Sequence, residues 1–230
     1  MNLMEYSAKE IEVLKLLKEL QDVLNVAVIA LGGMRPKTPE RSYLGFVANA
    51  VKNIADGYLV LRNEGRLTAS KLLVRPAIEL ILNGTAVEKK PGLLVRKAYS
   101  EWEAEGKMYK GTQFEAKHDQ RWQDFKKRVK IVDPNCQIVR KRLTIRETAQ
   151  LASMDKIYDV AYGIYCRFTH GAFDAVQGNL DGVTNDRDSQ VMTYCVIQAI
   201  SLLERSTPAA IPDYDLPEER LDRLIFGELK

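Results

Sequence analysis

The sequence lacks the features of several protein classes. Among its 230 residues are only three cysteines, Cys136, Cys166 and Cys195, widely spaced and without a Cys-x-x-Cys pair. Neither a disulfide framework nor a zinc site is therefore indicated. No run approaches the roughly 20 apolar residues that cross a bilayer, and the N-terminus lacks the basic segment and cleavage site of a secretory signal. We expect a cytoplasmic protein with reduced thiols and no membrane segment.

Motifs of common enzyme classes are also missing. The sequence contains no Gly-x-x-x-x-Gly-Lys-Ser/Thr loop, no Gly-x-Gly-x-x-Gly turn, no Gly-x-Ser-x-Gly elbow and no His-Glu-x-x-His. P-loop nucleotide hydrolysis, dinucleotide redox chemistry, serine-esterase chemistry and zinc proteolysis therefore have no support. The acidic stretch from 179 to 188 lacks the closing Glu of a calcium loop. We predict neither a metal nor a cofactor.

The composition is that of an ordinary globular protein, with 46% hydrophobic and 28% charged residues, enough for one sizeable core. The net charge of +3 hides an asymmetry along the chain. Residues 89–146 carry 16 basic and 7 acidic residues, whereas residues 147–230 carry 7 basic and 14 acidic ones. Either these two segments face each other, or the basic one binds an anion such as nucleic acid.

Apolar residues recur at spacings of three and four along most of the chain, and no alternation typical of strands is found. Capping boxes that begin at Ser7, Thr112 and Thr144 predict helix starts. We predict an all-α fold, a single helical bundle of about seven to nine helices over residues 1–205. An extended tail over 206–230 should end in a short amphipathic helix from Glu218 to Phe226. The apolar helix from 191 to 203 is a candidate subunit interface.

The first group of residues that could carry chemistry is Arg75 and Glu79, four apart on an apolar helix that contains Pro76. Charges on a central helix are costly unless they are paired. We expect them to pair with each other or with polar residues around His170. The alternative is a salt bridge at the rim of the bundle that fixes helix packing.

The second group surrounds His170. If a helix continues across Gly171, then Arg167, His170 and Asp174 lie on one face. Asp174 would then orient the imidazole, His170 would exchange a proton near neutral pH, and Arg167 would bind an anionic group. The alternative is a buried histidine bonded to a neighbouring helix. His118 lies in a strongly polar stretch, so we expect it to be exposed to solvent.

A basic helix with interleaved aromatic residues forms the third group. Basic side chains neutralise phosphates, and aromatic rings stack on bases. The residues that would contact nucleic acid are Arg121, Trp122, Lys126, Lys127, Arg128 and Lys130. The alternative is an amphipathic helix whose aromatic stripe packs against the protein.

Two of these groups resemble the motifs of a known family. The segment Arg75-Pro76-x-x-Glu79, with a later Tyr162-x-x-Tyr165-x-x-x-Thr169-His170-Gly171, is similar to the bacterial domain-of-unknown-function family 5677 over roughly residues 40 to 205. The resemblance implies a helical fold and a polar network or ligand-binding set made of Arg75, Glu79, Tyr162, Tyr165 and Thr169. It implies no activity, because the function of that family is not established.

A looser similarity connects Arg167 and His170 with the HEPN superfamily of helical ribonucleases and nucleotide-modifying toxins. Two hypotheses follow. The first is a non-enzymatic binding or interaction module, a homodimer or a partner of another protein, with a buried network of Arg75, Glu79 and His170. The alternative is a HEPN-like ribonuclease or nucleotide-acting enzyme of phage-defence or toxin–antitoxin type, with His170 as acid/base, Arg167 as anion ligand and RNA or a nucleotide as partner.

Overall fold

The computed structural model describes residues 7–34, 38–132, 143–169 and 185–212, and every regular element within these ranges is helical. The prediction of an all-α bundle is confirmed. The α-helices in these ranges are α1 (Ala8–Gly32), α2 (Pro39–Asn63), α3 (Leu67–Lys89), α4 (Leu93–Tyr109), α5 (Glu115–Val132), α6 (Ile145–Ala152), α7 (Asp155–Ile157), α8 (Gly163–Thr169) and α9 (Asn185–Ser206). A π-helix (Tyr158–Tyr162) joins α7 to α8, and a 3-10 helix (Pro208–Ala210) follows α9.

The core lies between α9 and the three long helices at the start of the chain. Apolar side chains of α9, among them Met192, Val196, Ala199 and Leu203, are completely buried. They are buried because α9 packs on α1, α2 and α3 at once, and a helix that is apolar over a wide arc needs neighbours on several sides. The apolar side chains of the stretch from 191 to 203, a candidate subunit interface in the sequence, are thus covered by helices of the same chain.

Helix starts follow the capping residues in two of the three predicted boxes. The Ser7 hydroxyl accepts a hydrogen bond from the Glu10 amide at 3.0 Å, and the Thr144 hydroxyl accepts one from the Glu147 amide at 3.2 Å. The box at Thr112 does not form as predicted. The carboxylate of Glu115 accepts from the Gly111 amide at 2.8 Å, and α5 begins only at Glu115 because a turn with positive φ at Gly111 precedes it.

Helices α4 and α5 form a hairpin that is anchored to the bundle through the first half of α4. Arg96 binds the Glu147 carboxylate through both terminal nitrogens, at 2.6 and 2.8 Å. The hydroxyl of Ser100 accepts from the Leu143 amide at 2.7 Å. Apart from these contacts, α4 packs mainly on α5.

Aromatic rings form the seam of this hairpin. The ring of Trp102 stacks on His118 with centroids 5.4 Å apart and on Trp122 at 5.3 Å. His118 is only 4% exposed, so the expectation that it is exposed to solvent is wrong. The physical reason is that Gly106 has no side chain, and the imidazole fills that space, with its Cε1 3.1 Å from where a Cβ would lie.

The last part of the chain is described only as far as Pro212. After α9 the 3-10 helix packs on α1 and buries Ala210. The predicted amphipathic helix from Glu218 to Phe226 lies outside the described residues.

Helix α3 passes very close to α2 and α9 at Gly84. A Cβ at this position would lie 2.9 Å from Leu202 Cδ1 and 3.1 Å from Val47 Cγ1, which is closer than packed carbon atoms approach. The absence of a side chain is therefore what lets the three helices meet here.

Gly84→Val should lower the free energy of unfolding by about 1–3 kcal/mol, the usual cost of overpacking a core. Urea denaturation followed by circular dichroism measures the change. Gly163→Val is the matched control, because Gly163 is also helical but nothing lies within 4 Å of its Cβ position. Equal losses for the two variants would contradict the close crossing at Gly84.

Candidate functional site

A polar triad joins α3 to the π-helix. The Arg75 Nε donates to the Glu79 Oε1 at 2.9 Å, and the Tyr162 hydroxyl donates to the same oxygen at 2.9 Å. The Arg75 Nη2 lies 3.4 Å from the Tyr162 hydroxyl, and its guanidinium carbon is 5.5 Å from the centre of the tyrosine ring. Arg75 and Glu79 are half-buried, while Tyr162 is buried. The structure therefore brings together three of the residues that the sequence singles out.

The π-helix places Tyr162 at this position. The wider turns of a π-helix rotate the residues after it relative to the residues before it. Such segments are frequent at functional sites. Tyr158 and Tyr162 stack within it, with centroids 5.1 Å apart. Burial raises the pKa of Tyr162, and its hydrogen bonds with Cys166 and Glu79 raise it further. Tyr162 thus remains protonated at physiological pH and acts as a hydrogen-bond donor to Glu79.

Tyr165 does not join this triad, although the sequence places both tyrosines in one group. It lies one turn further along, on α8, and its hydroxyl donates to the Asp188 Oδ1 of α9 at 2.6 Å. The Lys71 Nζ of α3 lies 3.6 Å from the other Asp188 oxygen, Oδ2, with both side chains almost completely buried. Tyr165, Lys71 and Asp188 therefore form a second, fully internal polar site.

This internal site continues towards α1 and α2. Arg62 pairs with Glu10, and both side chains are buried. The Tyr58 and Ser189 hydroxyls are hydrogen-bonded at 3.0 Å. With Lys71 and Asp188, the two ion pairs carry no net charge. We call the seven residues of this assembly the buried network: Glu10, Tyr58, Arg62, Lys71, Tyr165, Asp188 and Ser189.

Burial changes the titration of the buried network. Desolvation raises the pKa of Asp188 to about 6, although the Tyr165 hydroxyl, Lys71 and Arg62 oppose that shift. Desolvation lowers the pKa of Lys71, and the nearby Arg62 lowers it further, against the opposing effect of Asp188. Asp188 and Lys71 are therefore kept in their charged forms only by their neighbours inside the bundle.

Sequence reasoning missed most of the buried network, although a signal was present. Lys71 precedes Val74 and Ile78 by three and seven positions, so it shares their buried helix face. Arg62 follows Tyr58 by four positions and shares its face in the same way. A charged residue that continues an apolar stripe is the pattern that could have identified both.

For other predicted site residues the structure describes only the backbone or nothing at all. His170 and Asp174 lie outside the described residues. Arg167 and Thr169 lie in the last turn of α8, but their side chains are not among those described, and the same holds for Arg128 on α5. The juxtaposition of Arg167, Thr169, His170 and Asp174 with the triad stays a prediction, and so does the contact of Arg128 with nucleic acid.

The basic helix α5 divides into an exposed and a buried part. Arg121, Lys127 and Lys130 are exposed, and Lys126 is half-buried. Trp122 is only 5% exposed and packs against Tyr99, Trp102 and Phe125. This corrects the prediction for Trp122, because its ring has no free face on which a base could stack.

Within the described ranges, two further kinds of site are absent. Among residues 7–34, 38–132, 143–169 and 185–212, no three His, Cys, Asp or Glu side chains are grouped so that they could hold a metal ion. In the same ranges no helix has the length and apolar character to cross a membrane. Cys166 and Cys195 are free thiols, and burial raises the pKa of Cys195 to about 12.

Comparison with known proteins identifies the class. Residues 43–189 match the model of the family of unknown function DUF5677, which covers more than half of the chain. The chain belongs to this family. Neither curated proteins nor solved structures give a match. The matched region contains the triad and, of the buried network, every member except Glu10.

The pH dependence of stability should reveal the burial of Asp188. The pKa of Asp188 is about 6 in the folded chain, compared with 3.8 for an aspartate that no fold surrounds. Between these two pH values the folded state therefore binds the proton more tightly than the unfolded state does. The contribution of Asp188 to the free energy of unfolding should therefore fall as pH rises from about 4 to 6, by roughly 1.4 kcal/mol per unit.

Urea unfolding of the wild type and of Asp188→Asn at several pH values in this range measures that contribution. The stability of the wild type relative to the variant should decrease as pH rises. An advantage that grows with pH would show instead that Lys71 and Arg62 outweigh desolvation and hold the carboxylate ionised.

Proposed function

We propose that this protein is a non-enzymatic helical binding module that works as a homodimer. The observation that carries the proposal is the mutual pairing of Arg75, Glu79 and Tyr162. A catalytic acid, base or anion ligand must direct a polar atom at the substrate. Here Arg75 and Tyr162 both donate to one oxygen of Glu79, Oε1, and in this proposal the triad serves to join α3 to the π-helix.

The buried network supports the same proposal. Its charges are almost completely enclosed by α1, α2, α3 and α9, where no substrate can reach them. Such enclosed ion pairs fix the arrangement of helices. A rigid bundle of this kind is suited to present a surface to a partner.

The surface that we assign to the partner is the tip of the α4–α5 hairpin. Met108 is 75% exposed and Phe114 is 52% exposed, and Phe114 is in edge contact with Tyr109 at 6.3 Å. Large apolar side chains clustered on a projecting element are typical of protein contacts. The aromatic seam behind them stiffens the hairpin, which lowers the entropic cost of binding.

Light scattering on the purified chain tests the partner. We expect twice the 26.1 kDa mass of one chain, and a single-chain mass for Phe114→Ser. The matched control is Phe46→Ser, which removes a phenylalanine that is 60% exposed on α2 and should leave the mass of the dimer unchanged. A single-chain mass for the wild type, or an equal effect of both substitutions, would refute a dimer through the hairpin.

The alternative is a HEPN-like ribonuclease or nucleotide-acting enzyme. It is favoured by the exposed Arg121 and Lys127 on α5, which could contact phosphates, and by the short separation in sequence of Tyr162 from His170. In this alternative His170 is the acid/base, and Arg167 or Arg75 stabilises the phosphate.

Incubation of a mixed labelled RNA pool with the wild type and with His170→Ala separates the two functions. For a binding module we expect no cleavage by either protein. Cleavage by the wild type that is lost in a His170→Ala variant with a normal circular dichroism spectrum would establish the ribonuclease instead. Cleavage retained in that variant would point to a contaminant, which chromatography on a second matrix would remove.

A further inference from the structure

An apolar groove lies between the last two turns of α1 and the first turns of α2. Its volume is about 650 Å³, within the range of roughly 300–1,000 Å³ that is usual for small-molecule sites. The walls are mostly apolar side chains, among them Val28, Leu31, Met34 and Phe46. Phe46 is 60% exposed, so the described part of the chain leaves most of this ring uncovered.

Gly45 gives the groove part of its depth. It lies on α2 between the lining residues Arg41 and Asn49. Among the described residues, a Cβ at this position would have one neighbour within 4 Å, Leu31 Cδ1 at 3.7 Å. That distance is an ordinary van der Waals contact. A larger side chain at position 45 is therefore compatible with the helix but takes up space in the groove.

One end of the groove carries a positive charge. Arg41, in the first turn of α2, is exposed and is the one charged side chain among the described lining residues. Glu40 precedes it but is not a lining residue, since neighbouring residues of a helix point about 100° apart. The described walls therefore combine a long apolar surface with a single cation at one end.

We propose that this groove binds a small amphipathic carboxylate of the medium-chain fatty acid class. The carboxylate accepts hydrogen bonds from the Arg41 guanidinium, whose parallel donors match its two oxygens. The alkyl chain lies along Phe46 and Leu31 and passes over Gly45.

The length of the groove fits such a molecule. From Arg41 to Asn49 the axis of α2 rises by about 12 Å. An extended chain of about ten carbons, with bonds of about 1.5 Å, has a similar length. The ligand thus covers the apolar wall from the cationic end to the other end of the groove.

Isothermal titration calorimetry on the full chain tests this site with decanoate, kept below the concentration at which it forms micelles. We expect saturable binding of one decanoate per chain. Decyltrimethylammonium has the same alkyl chain and the opposite charge, so it should bind at least roughly tenfold more weakly, a difference of about 1.4 kcal/mol. Equal affinity for the two ions, or no binding of decanoate, would overturn the proposal.

Arg41→Gln tests the cationic end and should weaken decanoate binding roughly tenfold. Arg146→Gln is the matched control, because Arg146 is also exposed in the first turn of a helix, α6, but does not line the groove. This variant should bind like the wild type. Unchanged affinity in Arg41→Gln, or an equal loss in both variants, would contradict a carboxylate held by Arg41.

Gly45→Leu tests the apolar part and should abolish decanoate binding while the circular dichroism spectrum stays normal. Gly163→Leu is the matched control, since Gly163 is also helical and nothing lies within 4 Å of its Cβ position. It should leave binding unchanged. A folded Gly45→Leu variant that still binds decanoate as the wild type does would place the ligand elsewhere.

Methionine methyl resonances locate the bound molecule without any substitution. Met34 lines the groove, whereas Met108 is 75% exposed at the tip of the α4–α5 hairpin. Decanoate should shift the Met34 signal and leave that of Met108 in place. Equal shifts of both signals would show unspecific adsorption to apolar side chains. Sedimentation with phosphatidylglycerol vesicles, if decanoate leaves Met34 unshifted, would assign the groove to a membrane surface instead.

Discussion

Four charged side chains inside the bundle restrict how its long helices fit together. Glu10 pairs with Arg62 and Lys71 with Asp188, and each is less than 4% exposed. A charge removed from water costs several kcal/mol unless an opposite charge is held against it. The helices α1, α2, α3 and α9 are therefore limited to the arrangement that pairs all four. The family match begins at Tyr43. Glu10 on α1 is therefore the one member of these four charged residues that lies outside the matched region.

The fold was largely predictable because its signals are local. A cap at Ser7 followed by apolar residues at spacings of three and four defines α1 without knowledge of any other helix. Errors arose where another part of the chain decides the outcome. Glu115 caps the turn at Gly111 in place of the predicted box. His118 has polar neighbours in sequence but is buried, since Trp102 on another helix covers it.

The candidate site was predictable in part, for a related reason. The spacing of Arg75 and Glu79 within one helix predicts their pairing. The resemblance to the family identified Tyr162 as a further member of the site. No local pattern pairs Lys71 with Asp188, which lies far along the chain. The sequence marks Lys71 as a charge on a buried face, but only the packing of α9 on α3 shows which carboxylate meets it.

The π-helix from Tyr158 to Tyr162 makes this stretch of the chain intolerant of changes in length. Loss of one residue there would restore an ordinary α-helix and rotate everything downstream by about 100°. Tyr165 would then point away from Asp188, while Tyr158 and α7 would keep their places. A single-residue deletion at this turn would thus separate Tyr165 from the rest of the buried network without altering any of the residues that form it.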